Sequence, residues 1–228
     1  MMKTLTLLFY FLISLPVALL AQTPDEMLQK VSAAIDEGQQ GPAVSYFRQA
    51  INLNSDRAEM YYWTHVDKRG ELAPKLANEL AVAYKKNRNY DKAYLFYKEL
   101  LQTSPDNVDY LVACAEMQVG RGQEKDALRT YEKVLQLDAD NLDANIFLGN
   151  YYYLMAEQRK QKMESDFKKI GSPTKMQYAR YRDGLFDLFA NGYERARGSL
   201  QKVVSQFPST EAKKTLDKIL LIEKEVKR

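Results

Sequence analysis

One cysteine and one histidine in 228 residues leave little room for the usual catalytic chemistries. A lone Cys114 can form no intrachain disulfide, so the fold must hold by packing. Its place beside Ala115, where a small apolar residue is expected, marks it as core and not as a nucleophile. A lone His65 gives no histidine cluster for a metal and no evident partner for a nucleophile. Glycine is sparse, at 10 residues, and no phosphate-cradling glycine loop of known spacing occurs. The stretch Asp138-Ala139-Asp140-Asn141-Leu142-Asp143 has the carboxylates of a calcium loop. It lacks the central glycine, and Gly149 stands where the bidentate glutamate belongs. No compact basic run interleaved with aromatics suggests nucleic acid. These absences point away from an enzyme, a metal or cofactor, and a nucleic-acid partner. Carboxylate acid–base chemistry is the catalytic class left open, because 30 acidic residues offer many pairs.

Long apolar runs are equally scarce, apart from one at the start. Lys3 is followed by Leu5–Leu20, broken only by Thr6, Ser14 and Pro16, and Ala21 then precedes Gln22. The run falls short of the ~20 residues of a spanning helix, and Pro16 would break a regular one. Residues 1–21 therefore read as an export signal cut after Ala21. No cysteine follows the cut to carry a lipid. The expected mature chain, 22–228, is periplasmic or secreted.

What the chain does have is a period. Ala93-x3-Tyr97 returns 34 residues later as Ala127-x3-Tyr131, and Leu80-Ala81-x2-Tyr84 returns as Cys114-Ala115-x2-Gln118. Pro105 closes the first copy. Small and aromatic residues at fixed offsets in such a period mark a helix-turn-helix array, and this one resembles the tetratricopeptide repeat (TPR) family. The resemblance implies an all-α fold, a right-handed α-solenoid of about five TPR-like units with a C-terminal capping helix. A period this short leaves no room for a sheet.

The units read as about 24–57, 74–107, 108–141, 142–175 and 177–210, with an insertion at 58–73 and a cap at 211–228. Gly38, Asn87-Arg88-Asn89 and Gly120 with Gly122 supply the turns. The insertion carries Met60, Tyr61, Tyr62, Trp63 and His65, which either form a contact site or pack over a joint between units. Large aromatics bury much apolar area, which favours packing. After Leu142 the pattern loosens. No glycine marks a turn before Pro173, so Leu142–Ile170 is either one long helix or a pair with a lengthened turn. Ala156–Lys162 contains only good helix formers, which favours the long helix. In the last unit Asp183 and Asp187 occupy places that are apolar in the family. Its apolar stripe runs instead through Tyr178, Tyr181, Leu185, Leu188 and Phe189.

The resemblance also implies a surface. In TPR proteins the first helix of each unit lines a concave wall that holds a protein or peptide partner. Carried over, that wall comprises Lys75, Asn78, Val82, Lys85, Asp109, Val112, Glu116, Ile146, Asn150 and Tyr153, with Asp143 beside them. Tyr178 and Tyr181 join it if the last first-helix keeps the usual rotation. Lys75 and Asn78 suit a carboxylate clamp, but Asp109 and Glu116 follow and leave it incomplete. Charge is divided: residues 22–157 hold 15 Lys+Arg against 21 Asp+Glu, and residues 158–228 hold 17 against 9. Such polarity admits a second reading, an adaptor whose basic half docks an anionic membrane or polymer, and it also admits head-to-tail self-association.

Overall fold

The computed structural model describes residues 22–227, among which every regular element is helical and no strand occurs. The export signal expected over residues 1–21 lies outside them. In chain order the helices are α1 (Pro24–Asp36), α2 (Gln40–Leu53), α3 (Ser55–His65), α4 (Leu72–Lys86), α5 (Tyr90–Thr103) and α6 (Val108–Gly120). Then come α7 (Glu124–Leu137), α8 (Leu142–Lys168), α9 (Lys175–Leu188), a π-helical turn (Phe189–Tyr193), α10 (Glu194–Gln206) and α11 (Thr210–Val226).

Local chemistry sets these boundaries. Asn54, Asn89, Asn107 and Asn141 each cap a helix, the side-chain oxygen accepting a hydrogen bond from the backbone N–H three residues on. Each cap satisfies one of the donors a helix start leaves open. Asn107 and Asn141 stand one repeat apart. Gly38, Arg88 and Gly122 hold the turns between paired helices at positive φ, 72°, 57° and 73°. Two of the three are glycines, which reach that region without a Cβ penalty.

The chain divides into two compact units, one ending at Ala83 and one starting at Tyr84. In the first, α1 and α2 pair through a core of Met27, Val31, Ala43, Phe47 and Ala50. α3 packs on both. Tyr61 and Tyr62 are buried, Tyr61 lies beside Phe47, and its hydroxyl meets Ser32 Oγ at 2.8 Å. The insertion is therefore a helix that seals the first pair. Met60, Trp63 and His65 stay on its surface.

In the second unit α5 packs on α6, α6 on α7 and α7 on α8. Leu111, Ala115, Ala127, Tyr131, Val134, Ala144 and Leu148 share one core. Leu142–Lys168 is one helix of 27 residues, so no turn divides it. The helix packed on the first half of α8 is α10. Gly149 permits this: a Cβ there would lie 2.8 Å from Leu200 Cγ and Cδ2. α9 runs instead along the second half of α8, with Phe167 stacked on Tyr181 at 4.3 Å and Gly184 against Met163. This packing redraws the spans 142–175 and 177–210. They share one helix pair, α8 with α10, and the rest is a hairpin inserted between the partners. It also explains the misplaced Asp183 and Asp187, since α9 faces α8 and not α10. Ala196, Leu200 and Val203 share the final core with Ala212, Ile219 and Ile222 of α11, which closes the array as expected.

Candidate functional site

The first-helix face is described unit by unit. In the first unit Lys75 is exposed and donates to Gln40 Oε1 at 2.6 Å, Asn78 is half-buried and Val82 is half exposed. Nearby, Arg48 makes a bidentate pair with Glu79 at 2.6 and 2.7 Å. α1 and α3 also enclose a groove of about 570 Å³, floored by Leu28 and Tyr61 and rimmed by Asp25, Arg57 and His65.

In the second unit Lys85 is ion-paired with Glu116 between successive first helices. Asp109 is exposed, and Val112 lies half-buried against the shared core. Glu116 acts at a distance on two buried phenols. Burial first, and the Glu116 charge second, push Tyr97 up to about 12 and raise Tyr131 further. On α8 Ile146 is 38% exposed, Asn150 is exposed, and Tyr153 is partly buried, packing edge-on against Tyr193.

Two stripes emerge. Val112, Glu116 and Val119 on α6 follow i, i+4, i+7 spacing, as do Ile146, Asn150 and Tyr153 on α8, so each trio shares one helix face. Each reads apolar, polar, apolar. Behind them Leu111 and Ala115 are locked to Ala144 and Leu148, so the stripes stand on a rigid base. Val119, 38% exposed, was not among the residues expected from sequence; its i+7 spacing from Val112 was the signal.

Tyr178 and Tyr181 do not join this face. They pack on Phe167, 14 residues beyond Tyr153 on the same helix, or about 21 Å along its axis at ~1.5 Å per residue. A second feature went unseen in the sequence. Tyr152 donates to Glu132 at 2.5 Å, and the Arg195 guanidinium lies 3.9 Å from the Tyr152 ring centroid and 2.9 Å from Glu132. These residues stand beside a groove of about 560 Å³ between α7, α8 and α10. They come from three separate helices, so no local motif announces them.

Among the described residues no group of three or more His, Cys, Asp or Glu side chains could hold a metal. Burial pushes the Cys114 thiol up to about 11, which suits a core side chain and not an activated nucleophile.

A tetratricopeptide repeat family model matches residues 76–107. A Bacteroides ovatus ATCC 8483 protein, provisionally named a protein binding protein, is 76% identical. Its crystal structure superposes with a TM-score of 0.82, covering 90% of this chain and 100% of that one. A TPR repeats protein of Bacteroides fragilis NCTC 9343 is 16% identical, with a TM-score of 0.44 over 88% of this chain and 99% of that one. A tetratricopeptide repeat protein of Parabacteroides merdae ATCC 43184 is 15% identical, with a TM-score of 0.40 over 88% and 73%. At those scores the last two bear on neither residue roles nor partners. No protein of curated function matches the chain. With the 34-residue signatures seated in paired helices and a relative this similar, the chain belongs to the tetratricopeptide repeat family.

Proposed function

We propose that the protein is an interaction scaffold that binds a polypeptide segment on the first-helix face of its second unit. The observation that carries this is the pair of matched stripes. Val119 and Ile146 expose apolar surface on a rigid base, with Asp109, Glu116 and Asn150 between and beside them. Apolar anchors with polar groups that fix register are what a docked helix or strand requires. The provisional protein-binding name of the Bacteroides ovatus relative agrees with this reading. The acidic residues on the face favour a segment with basic groups near its apolar anchors.

Photo-crosslinking tests the surface. A benzoylphenylalanine at Val119 or Ile146 should trap a discrete polypeptide in cells, whereas one at the exposed Arg129 of α7 should not. Glu116→Ala and Tyr153→Ala should weaken capture, with Tyr153→Ala costing over ~1 kcal/mol of binding if it sits near the interface centre. Capture from Arg129 but not from Val119 or Ile146 would move the site to the second-helix side.

We also propose that the protein works in the bacterial envelope, on the strength of the leader pattern in residues 1–21. N-terminal sequencing of the native protein should begin at Gln22. A chain recovered intact from Met1 in the cytoplasm would remove this part of the proposal.

A further inference from the structure

The hairpin that α8 and α9 insert between the last paired helices carries a feature the scaffold reading does not use. From Phe167 to Arg182 the chain has five Lys+Arg and no Asp or Glu. Every residue from 168 to 180 is exposed. The bend between the helices bears Lys168, Lys169 and Lys175, and among them stand Ile170, 40% exposed, and Met176, 65% exposed. Tyr178, two residues further on, is 52% exposed. Lys169 is paired with Asp166 at 2.9 Å.

Apolar side chains are usually sequestered, and lysines usually surround them at such a site for solubility. Here the apolar groups stand at the bend of a two-helix hairpin, on a stretch in which every side chain is exposed. A convex tip fits a flat partner. Lysines flanking a few apolar side chains match an interface that is anionic outside and apolar just beneath, which describes a phospholipid surface. Among the described residues no helix is long and apolar enough to cross a membrane.

We infer that the α8–α9 tip docks the protein on an anionic phospholipid bilayer: Lys168, Lys169 and Lys175 meet the headgroup phosphates while Ile170 and Met176 enter the acyl boundary. The tip begins about 21 Å along α8 from Tyr153.

Vesicle flotation with the purified full chain tests this. Phosphatidylglycerol-containing vesicles should carry the protein and pure phosphatidylcholine vesicles should not, with binding lost in high salt. Lys168→Ala, Lys169→Ala and Lys175→Ala together should lower partitioning by about tenfold to a hundredfold. Ile170→Ser with Met176→Ser should lower it about fivefold at unchanged charge. Lys213→Ala, Lys214→Ala and Lys218→Ala on α11 remove the same charge elsewhere and should have a small effect. Circular dichroism establishes that each variant is folded. Equal binding to neutral vesicles would overturn the inference, as would wild-type binding by the tip triple variant. So would an equal loss from the α11 variant, or binding to polyglutamate in place of vesicles. Crosslinking from Ile146 reads the scaffold proposal separately and does not depend on any of these results.

Discussion

Gly149→Ala is the sharpest probe of how this chain is put together. In an ordinary exposed helix the change would stabilise by about 1 kcal/mol, because alanine loses less backbone entropy than glycine. Here the added methyl would lie 2.8 Å from Leu200 Cγ and Cδ2 and 3.4 Å from the Leu200 nitrogen. Leu200 is 1% exposed, so it has little room to yield. Overpacking of this kind costs about 1–3 kcal/mol, and the balance is a net loss of up to ~2 kcal/mol. Leu200→Ala alone leaves a cavity and should cost about 2–5 kcal/mol. Combined, the two changes relieve each other. With Leu200 shortened the new methyl has space, and Gly149→Ala should become neutral or stabilising by about 1 kcal/mol. The assay is equilibrium urea unfolding of the four proteins in the double-mutant cycle. A coupling of at least ~1 kcal/mol is expected. Additivity within ~0.5 kcal/mol would refute the argument, because it would mean α10 does not pack on the first half of α8.

Ala93→Asp and Ala127→Asp put a carboxylate at positions with no exposure and should each cost about 2–4 kcal/mol; a melting temperature near that of the parent would remove the repeat register. Arg88→Gly relieves an L-residue held at φ 57° where Gly38 and Gly122 hold the equivalent turns, so stability should be unchanged or rise by up to ~1 kcal/mol. A loss greater than ~1 kcal/mol in thermal unfolding would show that the Arg88 side chain matters more than its backbone. Alkaline pH gives a further test. Burial raises Cys114 from 9.0 to about 11 and Tyr97 from 10.0 to about 12, so the folded state disfavours both ionised forms. Their contribution is therefore full below pH 9 and is lost as pH rises through 11 to 12, and urea midpoints should fall across that window. Midpoints that hold steady to pH 12 would contradict the burial of these groups.

Legibility tracked locality. The pair α6 with α7 was readable because Cys114, Ala115, Ala127 and Tyr131, which repeat Leu80, Ala81, Ala93 and Tyr97 one period on, each occupy a helix stripe of fixed spacing. The turns at Gly38, Arg88 and Gly122 were readable too, although the asparagine caps that define the helix starts passed unnoticed. Of the candidate site, the spacing along each helix was legible and the packing between helices was not. Val112, Glu116, Ile146, Asn150 and Tyr153 do form matched stripes, whereas Tyr178 and Tyr181 were assigned to the same wall and lie against Phe167. Their assignment assumed that α9 pairs with α10, which neighbours it in sequence.

By itself, then, the sequence determined the all-helical class, the period, the small-residue contacts within each helix pair and the split of charge along the chain. All of these depend on residues within about one repeat of each other, where spacing alone decides which side chains share a face. Only the tertiary structure decided which helix completes the pair begun by Leu142. Gly149 and Leu200 stand 51 residues apart, and nothing in the spacing of either announces the other. An apolar stripe says that a face must be buried, not against which helix. That choice is made by fit between surfaces, and it turned the last stretch of the array into a closed pair with a basic hairpin standing out from it.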